Sequence, residues 1–218
     1  MIAALLAATL SIFASAVEVR AKGYAGTGVI VYAREGKTRI LTAAHVAMND
    51  DGVTPRDELK ICMSAGIKSR VCLGVRVLLA DQRLDLALLA FDSAAIKPAA
   101  VLPVQLPSTF ESVYLVGAPG GVLLGVYPGR LVDINGGDPT LTWNFAGYVA
   151  GGMSGGPVLN ERGELVCIIQ TAFLFPRADD DHTQPRHIQG GQCASAWAIR
   201  AFLARAGVLD PPPAKGGK

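Results

Sequence analysis

One serine of the chain lies inside a glycine-rich stretch. Residues 151–157 read GGMSGGP, with Ser154 at the centre. Small neighbours leave the serine hydroxyl accessible and let the backbone approach a bound molecule closely. Consecutive backbone N–H groups in such a turn can also point at one spot and stabilise a developing oxyanion. The stretch predicts a nucleophilic serine, although an ordinary glycine-rich turn would have the same composition.

A histidine and an aspartate elsewhere in the chain could activate that serine. His45 follows the apolar run that starts at Arg39 and comes directly after two alanines, whose small side chains leave room for an imidazole against a barrel wall. Asp85 is a single charge inside the apolar run RLDLALL, and a buried carboxylate is costly unless it has a partner. A histidine N–H is a suitable partner, because the contact would fix the tautomer and orient the ring.

Each of these residues also has a simpler interpretation. His45 on its own could be an ordinary core or surface histidine, and Asp85 could merely begin a strand. Asp81 and Asp92 compete with Asp85, but both lie at edges that resemble turns. His45 therefore gains weight only from the other two residues.

Short apolar runs separated by Gly, Pro, Asn and Asp surround these candidates and predict strands. β-Branched residues and the strand-length spacing favour an all-β barrel or sandwich. Residues 98–108 contain three prolines and predict a linker between two halves of similar size. The predicted strands are residues 28–32, 38–42, 59–63, 71–79, 84–91, 113–117, 129–134, 141–145, 157–159 and 165–170.

One helix is predicted near the C-terminus. Ser195 can cap its start and Gly207 can end it. The polar, proline-bearing residues 207–218 that follow are expected to be a disordered tail. The apolar side of the helix is expected to comprise Trp197, Ile199, Phe202 and Leu203.

Composition excludes some functional classes. The chain has 218 residues, of which 50% are hydrophobic, and a formal net charge of +2. Such a chain can bury a sizeable core and is not expected to be disordered. The charge is too small, and basic residues too scattered, to predict a nucleic-acid partner.

The N-terminal segment predicts export. No charged side chain precedes Glu18, and the apolar residues end in Ala14-Ser15-Ala16, a small-x-small pattern suited to signal peptidase. Residues 1–16 are therefore interpreted as a signal peptide or, alternatively, a membrane anchor, although the segment is short for a full span. The protein is expected to be secreted or periplasmic, and to touch a membrane only if this segment is retained.

Four cysteines fit that compartment. An even number in an exported chain predicts two disulfides, for which three connectivities are possible. We expect local pairing, Cys62 with Cys72 and Cys167 with Cys193, because the first pair flanks a segment that resembles a hairpin. Four reduced, buried cysteines in a cytosolic protein are the alternative.

Several motifs together resemble the chymotrypsin-like serine peptidases, and within them the bacterial HtrA-like branch. The matching stretches are GTGVIV from Gly26, TAAHV around His45, DLALL from Asp85, VGAPGG from Val116 and GMSGGPVLN from Gly152. The order His, Asp, Ser is the order of this family. The resemblance covers roughly residues 23–206, nearly the whole of the expected mature chain.

The resemblance implies a fold and a mechanism. The fold would be all-β, two packed six-stranded β-barrels with a C-terminal helix, in a peptidase domain spanning residues 17–206. The barrels would cover about 23–97 and about 109–206, with the site in the cleft between them. His45, Asp85 and Ser154 would form a catalytic triad, and the N–H groups of Gly152 and Ser154 would form the oxyanion hole. The substrate would be a protein or peptide, and neither a cofactor nor a metal is expected.

The chain also departs from parts of the family pattern. Met153 stands where trypsin-like digestive members carry an aspartate that pairs with a freed N-terminus, so activation by that salt bridge is not expected. No sequence remains after the peptidase domain for a PDZ domain, so trimeric chaperone-protease behaviour is not expected either.

The family pattern also suggests the substrate pocket. The residue six before the nucleophile, Tyr148, would lie at the pocket base, and the far wall would come from Thr171, Ala172 and Phe173. Such a pocket has no formal charge and is expected to favour small or medium apolar side chains.

One further segment is rich in acidic residues and histidine. Residues 177–192 contain three aspartates and two histidines, but their spacing matches no known metal site, so we interpret them as a solvated loop that could shape the cleft. Two alternative functions are considered. The chain could be a catalytically silent homologue that binds peptides, or it could be a viral or phage peptidase that processes its own precursor.

Overall fold

The computed structural model is built almost entirely of β-strands. It describes residues 15–34, 36–64, 70–92, 102–103, 105, 107–132, 138, 140–174 and 188–209. The first seven strands are β1 (Ala16–Ala21), β2 (Tyr24–Arg34), β3 (Lys37–Thr42), β4 (Lys60–Ser64), β5 (Arg70–Gly74), β6 (Arg76–Asp81) and β7 (Leu86–Phe91). The others are β8 (Ser112–Gly117), β9 (Gly125–Val132), β10 (Thr142–Gly147), β11 (Pro157–Asn160), β12 (Leu165–Leu174) and β13 (Ile188–Ser195).

The strands form two sheets, one from each half of the chain. The first sheet has seven strands in the order β5-β4-β1-β2-β3-β7-β6, so that β5 and β6 are its outer strands. The second closes into a six-stranded barrel in the order β10-β13-β12-β11-β8-β9. The predicted all-β, two-part, chymotrypsin-like architecture is confirmed. The first half, however, is a seven-stranded sheet rather than the closed six-stranded barrel expected, because its outer strands β5 and β6 do not pair with each other.

Three strand predictions need correction. The predicted strand 71–79 is two strands, because β5 pairs with β4 at one edge of the sheet and β6 pairs with β7 at the other. The predicted leader, residues 1–16, overlaps the first residue of β1, because Ala16 already pairs with Val29. The predicted loop 177–192 overlaps the first part of β13, whose sequence, IQGGQCAS, has no apolar alternation. Only glycine fits at position 191, because an added Cβ would lie 2.1 Å from the Thr171 carbonyl oxygen.

Apolar residues fill three clusters. One lies within the first sheet and includes Ile30, Ile40 and Leu89, and another lies inside the barrel and includes Phe145 and Met153. The third cluster joins the two halves, because side chains of β3 and β7 pack with others from the barrel and from the C-terminal helix. Burial of this shared cluster holds the two halves together. Its members include Leu41, Leu86, Leu88, Val116, Ile168 and Phe202.

The predicted C-terminal helix is confirmed as α2 (Ala196–Arg205). The Ser195 hydroxyl caps it by accepting a hydrogen bond from the Ala198 N–H at 3.1 Å, and Gly207 follows its end with φ of +67°. Of the predicted apolar side, Ile199, Phe202 and Leu203 are buried, whereas Trp197 is half-buried. Within the described ranges no helix is long and apolar enough to cross a membrane.

Both predicted disulfides are confirmed. Cys62–Cys72 joins β4 to β5, and Cys167–Cys193 joins β12 to β13. Both bridges therefore link strands that are neighbours in a sheet.

Several predictions concern residues outside the described part of the chain. These are residues 1–14 of the expected leader, most of the linker 98–108, the Asp/His segment up to residue 187, and the tail from residue 210.

Candidate active site

His45 and Asp85 are in direct contact. His45 lies on α1 (Ala44–Ala47), the short helix that follows β3, and Asp85 lies immediately before β7. One Asp85 carboxylate oxygen accepts from the His45 backbone N–H at 2.9 Å, and the other lies 2.8 Å from Nδ1 of the ring. The His45 side chain is 46% exposed and that of Asp85 is 24% exposed. The carboxylate can therefore hold the proton on Nδ1 and leave Nε2 free to accept another proton.

A tight turn presents Asp85. The Asp81 carboxylate accepts from the backbone N–H groups of Arg83 and Leu84, each at 3.0 Å, and shapes the turn that ends at Asp85. Asp85 itself has φ of +46°, a left-handed conformation that costs free energy for a non-glycine residue. The Gln170 side-chain amide donates to the Leu84 carbonyl at 2.5 Å and ties this turn to β12 of the barrel.

The charge of Asp81 is itself stabilised. Burial acts to raise the pKa of this carboxyl, but the Arg205 guanidinium and the N–H groups of Leu84 and Arg83 outweigh burial and hold the pKa below its ordinary value. The Asp81 carboxylate thus binds Arg205 and the N–H groups of its own turn, whereas the carboxylate of the other candidate, Asp85, contacts His45.

Ser154 lies where the barrel meets the first sheet. Its carbonyl oxygen accepts from the Thr27 N–H of β2 at 2.8 Å, and the next residue, Gly155, donates to the Ile169 carbonyl of β12 at 2.7 Å. Gly155 has φ of +83°, and an added Cβ would lie 2.1 Å from Oγ1 of Thr42. This close approach explains a glycine after the serine and brings Ser154 beside the end of β3, which leads into α1 and His45.

The other proposed oxyanion donor, Gly152, needs to be a glycine for two reasons. Its φ is +92°, and an added Cβ would lie 2.3 Å from the Ala118 carbonyl oxygen. The preceding carbonyl, that of Gly151, accepts from the Gly120 N–H at 2.7 Å. Because a trans peptide places its C=O and N–H on opposite sides, the Gly152 N–H points away from Gly120 and from the short Pro119–Gly121 turn that contains it.

Thr27 is a site residue that the sequence did not reveal. Its buried hydroxyl donates to the Gly152 carbonyl at 2.8 Å and accepts from the Ala118 N–H at 3.1 Å. Thr27 therefore joins β2 to both segments that shape the backbone around Ser154. The available signal was its place between two glycines in GTGV, which tells nothing about its partners.

Arg56 is a second such residue. Its side chain is only 8% exposed and donates to the His45 carbonyl at 3.2 and 3.3 Å. The guanidinium carbon also lies 3.3 Å from the centre of the Tyr24 ring, and Asp50 is its ion-pair partner at 3.2 Å. Arg56 thus fixes the backbone of α1 through the His45 carbonyl.

The predicted pocket residues lie on two elements of the barrel. Tyr148 directly follows β10, is 49% exposed and packs against Tyr127 of β9, with ring centres 4.9 Å apart. Thr171 and Ala172 are exposed and Phe173 is half-buried, all on β12 opposite β13. No formal charge is among these four side chains.

Comparison with known proteins agrees with this architecture. A family model of the trypsin-like peptidase domain matches residues 26–168. The serine endoprotease from Yersinia pestis shares the fold with a TM-score of 0.74 at 20% identity, over 94% of this chain and 67% of that chain. The active form of the Rv3671c protease from M. tuberculosis gives 0.68 at 22%, over 94% and 86%. The HtrA-type protease AlgW, solved with a tripeptide, gives 0.70 at 19%, over 93% and 63%.

No curated protein sequence matches the chain significantly. The family match nevertheless covers most of the described residues, from β2 to β12. The chain belongs to the trypsin-like peptidase domain family. Membership supports peptide-bond hydrolysis as its function and a protein or peptide as its substrate.

Proposed function

We propose that the protein is a serine endopeptidase that works through an acyl-enzyme on Ser154. His45 accepts the Ser154 hydroxyl proton while the oxygen attacks a peptide carbonyl, and the resulting tetrahedral intermediate expels the amine with that proton. Water then attacks the ester, again through His45, and releases the acid. Asp85 orients the ring and stabilises its charged form.

The observation that carries this proposal is the double contact between Asp85 and His45. A carboxylate that engages both the backbone N–H and Nδ1 of one histidine leaves that ring little freedom to rotate. A structural ion pair would need only one of these contacts. The exposed ring, 46% accessible, is also open to a substrate.

The glycine-rich segment supports the electrostatic half of the mechanism. The Gly152 N–H points away from the turn that binds the Gly151 carbonyl, and together with the Ser154 N–H we assign it to the oxyanion. Removing one such donor in serine peptidases costs about 10²–10³-fold in kcat, so this backbone orientation matters as much as a side chain.

For the substrate pocket we propose Tyr148, Thr171, Ala172 and Phe173. Their lack of formal charge supports a preference for small or medium apolar side chains at the residue before the cleaved bond. A buried charge in the pocket would instead demand an oppositely charged substrate.

We also propose that the protein acts in an oxidising compartment, outside the cell or in a periplasm. Two disulfides support this location. Cleavage after Ala16 would leave Val17, the second residue of β1, as the new N-terminus. The intact mass of the mature protein would test this cleavage.

A fluorophosphonate probe tests the central proposal, because it reacts covalently only with an activated serine. We expect the probe on Ser154 of the native protein, with no labelling of Ser154→Ala and very slow labelling of His45→Ala. Ser108→Ala, which removes an exposed serine outside the site, should be labelled as the native protein is. Absence of labelling in the folded native protein would contradict the proposal.

A further inference from the structure

An ion-pair cluster around a buried carboxylate lies in the first sheet, apart from the triad. Glu18 of β1 is 3% exposed, and both of its carboxylate oxygens are engaged. Oε2 pairs with Nε of Arg20 at 3.0 Å, and Oε1 pairs with Nη2 of Arg70, on β5, at 2.7 Å. A carboxylate so far from water needs such partners, since an unpaired buried charge is strongly unfavourable.

Each arginine also reaches the barrel. Arg20 donates through Nη2 to the Gly121 carbonyl, and Arg70 donates through Nη2 to the Val122 carbonyl at 2.6 Å. Two consecutive carbonyls at the end of the Pro119–Gly121 turn are therefore bound by charged donors from the other sheet, which are stronger than neutral ones. We call Glu18, Arg20 and Arg70 the ionic clamp.

Side chains of the turn give it little other anchorage. Val122 and Leu123, which follow it, are 71% and 65% exposed, so they bury little apolar surface. Inside the turn, the Gly121 N–H closes on the Ala118 carbonyl at 2.8 Å. The ionic clamp, together with the Thr27 hydroxyl that binds the Ala118 N–H, thus connects this turn to the first sheet.

The Pro119–Gly121 turn also binds the peptide that carries the proposed oxyanion donor. The Gly120 N–H binds the Gly151 carbonyl at 2.7 Å, and the same peptide unit bears the Gly152 N–H. Because Gly151 and Gly152 are both glycines, this peptide can rotate easily unless it is held. Rotation would turn the Gly152 N–H away from the place where negative charge develops.

We propose that Glu18, Arg20 and Arg70 are positioning residues for the oxyanion hole. They act through the Pro119–Gly121 turn, which fixes the Gly151–Gly152 peptide in the orientation that stabilises the transition state. This inference rests on the proposed function. These three side chains, on β1 and β5, thereby keep the backbone of residues 151–154 in its active conformation.

The test compares Arg70→Met, which keeps an unbranched side chain but loses its donors, with Arg70→Lys, which keeps a charged donor. Arg70→Met is expected to lower kcat about tenfold with little change in KM, because only the transition state carries the oxyanion. Arg70→Lys is expected to recover most of that loss. Glu18→Gln is expected to act as Arg70→Met does.

A second readout separates positioning from mere stability. A peptidyl boronate forms a tetrahedral adduct on the serine and places an oxygen in the oxyanion hole, whereas the matching peptide amide binds without one. In Arg70→Met the boronate affinity should fall by the same factor as kcat, and the amide affinity should stay unchanged. Arg39→Met is the control, because Arg39 is a largely buried ion-paired arginine of the same sheet, bound to Asp92. It should lower Tm and leave kcat and boronate affinity as in the native enzyme.

Native kcat and boronate affinity in folded Arg70→Met would overturn the inference, and so would an increase in KM with kcat unchanged. If Glu18→Gln does not fold, the pair of Arg70 variants decides. These results differ from failure of the proposed function, in which the native protein neither hydrolyses peptides nor reacts with a fluorophosphonate. That outcome would overturn both the proposed function and this inference.

Discussion

At the scale of single residues, three contacts fix the position of His45. Asp85 binds its ring and its backbone N–H, and Arg56 binds its carbonyl. A side chain whose backbone is fixed on both sides of the Cα loses little further entropy when it takes a catalytic orientation. This arrangement places Asp85 at a positive φ, which is unfavourable for a non-glycine residue and is maintained by the turn that the Asp81 carboxylate shapes.

Substitutions in the proposed triad should be severe and not additive. Ser154→Ala and His45→Ala should each lower kcat/KM by about 10⁴-fold or more, and the double variant should be little worse, because the residues act as one unit. Asp85→Asn should cost about 10⁴-fold, since an amide would favour the wrong tautomer of His45. Steady-state kinetics on a peptide substrate would measure these losses, and near-native activity of Ser154→Ala would disprove the assignment.

Substrate preference should follow from the uncharged pocket. In a peptide series that varies only the residue before the cleaved bond, Ala, Val and Leu should be cleaved best. Selectivity among them should be broad, because each methylene that fits adds only about 1–3 kcal/mol. The kcat/KM of each peptide is the measurement. A strong preference for Arg or Lys would show that an acidic side chain outside Tyr148, Thr171, Ala172 and Phe173 reaches the pocket.

At the scale of elements, the disulfides differ in what surrounds them. Cys167–Cys193 lies in the barrel core with both residues 0% exposed, and it closes a sequence separation of 26 residues. Cys62–Cys72 closes a separation of 10 residues at the edge of the first sheet, where Cys72 is exposed. A longer closed loop and a fully buried position both make the barrel disulfide the more stabilising one.

Replacing each disulfide by two alanines should reveal this order. Loss of Cys62–Cys72 should lower the free energy of unfolding by about 3 kcal/mol or less, and loss of Cys167–Cys193 should lower it by about 3.5 kcal/mol or more. Urea unfolding followed by tryptophan fluorescence would measure both values. Equal losses, or a larger loss for the edge disulfide, would contradict this account.

At the scale of the whole molecule, one ion pair connects the C-terminal helix to the first sheet. Arg205 of α2 binds the Asp81 carboxylate at 2.5 Å, and this carboxylate also shapes the turn before Asp85. The pKa of Asp81 is lowered in the folded protein, so its contribution to stability is present at neutral pH and is lost as the pH falls through the folded-state pKa.

This sign gives a testable pH dependence. Asp81→Asn keeps an oxygen that can accept from the turn but removes the charge that Arg205 binds. Its free energy of unfolding should be lower than that of the native protein by about 1 kcal/mol at pH 7, and the difference should vanish in strong acid. Asp92→Asn is the control, because that carboxylate is 62% exposed and its ion pairs should contribute less. A difference that persists at low pH would show that the charge is not responsible.

The local pattern of the sequence was sufficient for the all-β class, most strand positions and the C-terminal helix. These depend on features close together in the chain, such as apolar runs, turn residues and a serine cap. The same pattern left three disulfide connectivities open, and the structure contains the local one that we expected. The candidates His45, Asp85 and Ser154 also came from the sequence, because unusual residue types in small or apolar surroundings stand out locally. The strands β1 and β13 did not, since one followed the apolar leader without a break and the other is rich in glycine and polar residues.

Only the tertiary structure decided which residues meet. It placed Asp85 rather than Asp81 on His45, and it gave Thr27, Arg56 and Gln170 their roles in holding the backbone of the site. It also connected Glu18, through Arg20 and Arg70, to the carbonyls of Gly121 and Val122 at the end of the turn beside Gly151. These contacts join residues that are distant along the chain, and they depend on how one sheet packs against the other. Local sequence patterns carry no record of that packing.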